Sequence, residues 1–140
     1  MSIQKSEIKL EVSGKSVNAY LASPANGGPG ILVLHAWWGL KPFFKQVCDQ
    51  LAEHGFVAFA PDLYQGRVAH TIDEAKAFQT EFKQSDPEHM GAAVKAAQNY
   101  LSDLYAGKPT GVMGFSMGAA WSMIVAANDP HVSTVVLFYG

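Results

Sequence analysis

The chain has 140 residues, 49% of them hydrophobic and only 16% charged, and a formal net charge of −2. That bounds it to a single domain over residues 1–140 with a sizeable core, and argues against a disordered or heavily solvated chain. Arg67 is the only arginine, so the clustered positive charge that nucleic-acid phosphates need is missing.

Ile8-Lys9-Leu10-Glu11-Val12 alternates apolar and polar residues, Ser13-Gly14-Lys15 turns, and Val17 to Ala22 follows: a hairpin with one wet face. The Gly- and Pro-rich stretch from Ser23 to Gly30 reads as a surface loop. Ile31-Leu32-Val33-Leu34 is continuously apolar, as in a central strand covered on both faces. A helix starts near Lys41-Pro42, turns Phe43/Phe44, Val47/Cys48 and Leu51/Ala52 inward, and stops at Gly55. Phe56 to Ala60 is a second buried strand, ended by Pro61-Asp62. Thr71-Ile72-Asp73-Glu74 fits a capping box, with Ala75, Phe78 and Phe82 inward. Asp86-Pro87-Glu88 predicts another helix start, whose stripe is Met90, Ala93/Val94, Ala97, Leu101 and Leu104. Gly107-Lys108-Pro109 then leads into a strand ending at Gly111-Val112-Met113, an apolar helix over 119–128, and a last strand, Val135 to Gly140. Strands alternating with helices imply parallel pairing with right-handed crossovers, an α/β sheet with a hairpin at one edge.

Cys48 is the only cysteine, which excludes an internal disulfide, and its apolar helical position suits a buried structural thiol. The N-terminal segment has no signal-like apolar core, and no run reaches membrane-spanning length. A soluble, cytoplasmic protein is the expectation.

Gly114-Phe115-Ser116-Met117-Gly118 carries a Gly-x-Ser-x-Gly pattern between the predicted strand and helix, the context of a nucleophile elbow. The glycines permit a turn sharp enough to lift the Ser116 hydroxyl off the sheet, where side chains would collide. The plainer reading is a small-residue turn that packs a helix on a strand; the flanking elements favour catalysis. Loops leaving the carboxyl ends of parallel strands converge on one crevice. His35-Ala36-Trp37-Trp38-Gly39 leaves one such end, so the backbone N–H groups of Trp37 and Met117 are the expected oxyanion donors. Trp38 suits an apolar substrate pocket, against the alternative of plain packing. His35 is read as positioning the oxyanion loop at the pocket. His54, His70, His89 and His131 have no convincing placement as a base. Asp62 is read as shaping a turn. Triads on this kind of sheet run Ser, acid, His along the chain, and Asp129 and His131 fall at the wrong end of the next strand, so the triad is incomplete within these residues.

The segments Leu32 to Leu40, Gly55 through Pro61-Asp62-Leu63-Tyr64, Gly111 to Ala119 and Phe138-Tyr139-Gly140 together resemble the dienelactone hydrolase family of α/β-hydrolases. The resemblance implies the α/β-hydrolase fold, a mostly parallel doubly wound sheet with an N-terminal antiparallel hairpin. It implies hydrolysis of a carboxylic ester, lactone or thioester through an acyl-enzyme, with no metal or cofactor, and places the nucleophile at Ser116. Three departures stand out. Ser116 replaces the founding members' cysteine, Ala36 replaces the glutamate that manages the thiol's proton, and the helix carrying the family's substrate-binding arginine offers only Lys76 and Lys83. Arg67 lies nearby as a candidate for the pocket. The family continues past the sixth strand with two more, bearing the acid and the histidine. The chain is therefore expected to be a fragment, a truncated product, or one half completed by another chain or a second copy through its last strand edge. The competing expectation is a non-catalytic module that binds a ligand or partner.

Overall fold

The computed structural model describes residues 2–105 and 108–139; Gly107 of the expected loop and Gly140 of the expected last strand lie outside them. Ten elements follow one another: β1 (Ile3–Val12), β2 (Lys15–Pro24), β3 (Gly30–Leu34), α1 (Pro42–Glu53), β4 (Val57–Pro61), α2 (Ile72–Ser85), α3 (His89–Leu104), β5 (Thr110–Phe115), α4 (Met117–Asn128) and β6 (Val132–Phe138). The six strands make one sheet in the order β1-β2-β4-β3-β5-β6. β1 and β2 form the antiparallel hairpin, β2 joins β4 antiparallel, and β4, β3, β5 and β6 are parallel to one another. This is the expected architecture, with a longer hairpin: β1 runs from Ile3, its polar residues exposed along an edge strand.

Period-two alternation sorts the apolar residues of the central strands onto two faces. Leu32, Leu34, Val57, Phe59 and Val112 enter one core with α2, α3 and α4, contributing Phe82, Val94, Leu101 and Val125. Val33, Ala58, Ala60 and Phe115 face the other way, against Phe44, Cys48 and Ala52 of α1. The small residues on that second face let α1 settle close to the sheet.

Helix boundaries follow the local chemistry with one correction. Thr71 caps α2 as expected, its side chain accepting from the Glu74 N–H at 3.1 Å, while the Glu74 carboxylate accepts from the His70 N–H. Asp86, by contrast, ends α2, donating its N–H to the Phe82 carbonyl, and α3 begins only at His89. The Asp86 carbonyl accepts from the His89 N–H at 3.2 Å, so Pro87 and Glu88 form a turn between the two helices. Phe43 and Leu104, expected inward, are largely exposed. Among the described residues, no helix is long and apolar enough to cross a membrane.

Candidate active site

Ser116 sits between β5 and α4 with φ 54° and ψ −107°, a left-handed conformation that a residue with a Cβ adopts only under strain. Two neighbours hold it there. The Ser116 N–H donates to the Phe138 carbonyl at 2.7 Å, fixing the turn to β6. The flanking glycines let backbones meet: a Cβ on Gly114 would strike the Gly118 carbonyl and the Ser122 hydroxyl, and one on Gly118 would strike the carbonyls of Leu34 and His35. That second contact seats the first turn of α4 against the end of β3, next to the Trp37 loop. The Ser116 side chain is exposed and makes no capping bond to its own helix.

The loop after β3 is built from the inside. His35 is completely buried. Its Nε2 accepts the Leu63 N–H at 2.9 Å, so the proton lies on Nδ1, which donates to the Ala36 carbonyl at 2.6 Å. One imidazole thus fastens the β3 loop to the loop leaving β4. Burial holds its pKa below the ordinary value, against smaller opposite pulls from the Ala36 carbonyl and Asp62. Ala69 adds a second tie, its N–H donating to the Trp38 carbonyl at 2.9 Å, and Gly39, at φ 92°, takes a turn that packs on the Arg67 carbonyl. Among the described residues, neither the Trp37 nor the Met117 N–H is engaged by another protein group.

Pro61-Asp62-Leu63-Tyr64 acquires a residue-by-residue account. Asp62 is the turn-maker expected, its two oxygens accepting from the Tyr64 and Gly66 N–H groups at 3.0 Å each. Leu63 supplies the amide that His35 reads. Tyr64 is buried edge-on to His35, stacked on Phe82, with its hydroxyl toward the Met117 sulfur at 3.7 Å.

Ser116 opens onto two hollows. The larger, about 590 Å³, is walled by Trp38, Phe43, Phe44 and Phe115, with Lys41 and His70 also lining it. The smaller, about 380 Å³, is bounded by Trp37, Met117, Ala120, Met123 and Gln79, and Tyr139 borders both. Two expected pocket residues stand elsewhere. His35 lies behind the loop because its ring nitrogens are both spent on backbone. Arg67 lies over the rings of Phe78 and Phe82 and pairs with Glu81, so its charge is already matched.

The other histidines sort differently from their sequence positions. His70 reaches the larger hollow although its position, just before a helix cap, gives no such signal; the Ala69–Trp38 bond brings it there. His89, at the start of α3, is buried and stacked on Phe82. His131 pairs with Asp129 at 3.1 Å, and its carbonyl accepts from Thr110 at the start of β5, the opposite end of the sheet from Ser116. No histidine or carboxylate among the described residues is hydrogen-bonded to the Ser116 hydroxyl.

The family model described as "Dienelactone hydrolase family" matches residues 17–140. The chain is 38% identical over 139 residues to "Protein usf" of Aquifex pyrophilus, covering 95% of this chain and 60% of that protein. It is 36% identical over 139 residues to a protein of Aquifex aeolicus named "Putative carboxymethylenebutenolidase", again over 95% and 60%. The solved structure of a cold-adapted esterase from an Arctic intertidal metagenomic library superposes with a TM-score of 0.72 at 26% identity, over 98% of this chain and 59% of that one. The chain thus spans about 60% of the length of these relatives. Sheet order, elbow and family match converge: the chain belongs to the dienelactone hydrolase family and has its α/β-hydrolase architecture.

Proposed function

We propose that the protein is a serine-dependent hydrolase of carboxylic esters or lactones. The observation that carries this reading is the strained, exposed Ser116 beside two disengaged amides, those of Trp37 and Met117. In the reaction, Ser116 Oγ bonds to the acyl carbon while the carbonyl electrons move onto oxygen. The two N–H groups stabilise that oxyanion more than the neutral carbonyl from which it forms. Collapse restores the C=O bond and breaks the bond to the alcohol oxygen, which leaves with the proton taken from Ser116. Water then bonds through its oxygen to the acyl carbon, the bond from that carbon to Ser116 Oγ breaks to release the acid, and a proton from the water returns to Oγ. Metal and cofactor have no part in this scheme.

The proton carrier and its orienting acid are assigned to residues beyond these 140 or to a completing chain, because among the described residues no histidine or carboxylate is hydrogen-bonded to the Ser116 hydroxyl. Without them, oxyanion donors and binding retain roughly a thousandfold over water in a related serine enzyme, so the isolated chain is expected to turn over poorly. The same missing partners motivate the second reading, a binding module of this fold. Fluorophosphonate labelling of the intact protein separates the two. An adduct on Ser116, absent from Ser116→Ala, supports the hydrolase; an unlabelled serine under conditions that label a control hydrolase supports the module.

A further inference from the structure

Resting on that reading, we infer that the larger hollow beside Ser116 holds an aryl-bearing acyl group, and that Phe43 selects for it. Phe43 lies in the first turn of α1 and is 56% exposed, a large apolar side chain standing in the open at the mouth of the site. It is not loosely placed. Its ring meets Phe44 at 5.2 Å and Phe115 at 6.0 Å, both edge-to-face, and Phe44 meets Phe115 at 5.3 Å. Rings locked to one another in this way form a rigid apolar wall with a fixed face toward the hollow. Trp38 also lines the hollow, and the ammonium of Lys41, 5.0 Å from the centre of its ring, settles that side chain in place.

Size and chemistry then narrow the occupant. About 590 Å³ is in the range that takes a drug-sized ligand, far more than an acetyl group or a lone lactone ring fills. Flat, rigid walls favour a flat apolar group, which buries area there at small entropic cost. The acyl half is assigned to this side because it stays bonded to Ser116 through both steps and gains from a retaining pocket. The alcohol half must depart, and the smaller hollow toward Ala120 and Met123 serves it.

Boronic acids test this, since boron stands for the acyl carbon when it adds to a serine oxygen. Titration of the intact protein with 2-phenylethylboronic acid and methylboronic acid is expected to show the aryl compound binding at least about tenfold tighter. Phe43→Ala is expected to erase that advantage, whereas Phe43→Tyr, which keeps the ring against Phe44 and Phe115, retains it; matching thermal midpoints for the two variants show that both are folded. Equal affinities, or an advantage that survives Phe43→Ala, overturn the inference and leave the hydrolase reading standing. If Ser116→Ala binds both compounds as tightly as the wild type, no adduct forms, and the hydrolase reading falls together with this one.

Discussion

The Leu63 amide and the His35 imidazole, 2.9 Å apart and 28 positions apart in sequence, join the two loops that frame Ser116. Through its other nitrogen the same ring holds the Ala36 carbonyl, so the peptide that ends in the Trp37 N–H is oriented by a buried, neutral histidine. A side chain outside the pocket thereby sets the direction of an expected oxyanion donor. The segment Pro61 to Tyr64 and the loop Ala36 to Gly39 act as one unit rather than as two motifs.

That unit predicts a pH dependence. His35 and His89 both have pKa values held below 6.5, in each case chiefly by burial. The unfolded chain therefore binds protons near pH 6.5 that the folded chain refuses, and stability rises with pH through that window. Thermal midpoints measured at pH 7.5, 6.5 and 5.5 are expected to fall with pH, most steeply below 6.5. His35→Gln is expected to lose about 1–3 kcal/mol at pH 7.5, from the buried amide and carbonyl it strands, and to show a shallower acid slope. A wild-type midpoint indifferent to pH over this range contradicts the assignment.

Strain at the elbow predicts that Ser116→Gly is more stable than Ser116→Ala. Both remove the hydroxyl, yet only glycine relaxes at φ 54°. Relief of about 1–3 kcal/mol is offset by about 0.5–1 kcal/mol of extra chain entropy in the unfolded state. The net gain, about 1 kcal/mol, corresponds to a few degrees in the melting midpoint. Equal midpoints for the two variants mean that the turn carries no strain.

Much of this was readable in the residues, for identifiable reasons. Continuous apolar runs exposed the parallel strands, because Ile31 to Leu34 and Val57 to Ala60 face cores on both sides. Glycine spacing exposed the elbow, because Gly114 and Gly118 are forced by backbone approach. Tertiary ties were not readable. Nothing local says that Ala69 bonds Trp38 and so brings His70 to the hollow, or that Arg67 is spent on Glu81 and two phenylalanine rings. The start of α3 was misplaced because Asp86 serves as the end of one helix, a role its side chain does not announce.

Two helical glycines are expected to differ sharply in their response to alanine. Gly118→Ala drives a Cβ into the Leu34 and His35 carbonyls, at the end of the central strand β3 and the start of the loop that His35 fastens, where neither can yield. A loss of at least about 2 kcal/mol follows, and the fluorophosphonate reaction slows as the Trp37 loop shifts. Gly91→Ala meets only the tip of the Trp121 ring, at 3.3 Å. Helix propensity favours that change, so its stability stays within about 1 kcal/mol of wild type. Chemical denaturation of the pair decides; similar losses for both contradict the special role of Gly118.

Cys48 is expected to be inert. Burial pushes its thiol up to about 12, with Asp49 adding to the effect. The thiolate needed for attack is then scarce at neutral pH. A disulfide reagent at pH 8 should modify Cys48 at the rate of unfolding, and quickly in denaturant. Rapid modification of the native chain means that α1 opens far more readily than its packing on the sheet implies.

The last strand predicts how the 140-residue chain behaves at high concentration. β6 pairs with β5 through Val135–Val112, Val136–Met113 and Leu137–Gly114, and the described residues place no strand on its other side. Val135 to Phe138 keep about two-fifths of their surface exposed. The strand holds no charge and no proline, the usual devices that keep an edge from pairing with another chain. Concentration-dependent association through this edge is therefore expected in light scattering. Val136→Lys, on the face shared with Phe138, is expected to suppress it while leaving the Ser116 N–H bond to Phe138 in place. Association that persists unchanged in Val136→Lys assigns the contact to another surface, the exposed Met123 and Ile124 of α4 being the next apolar patch to test.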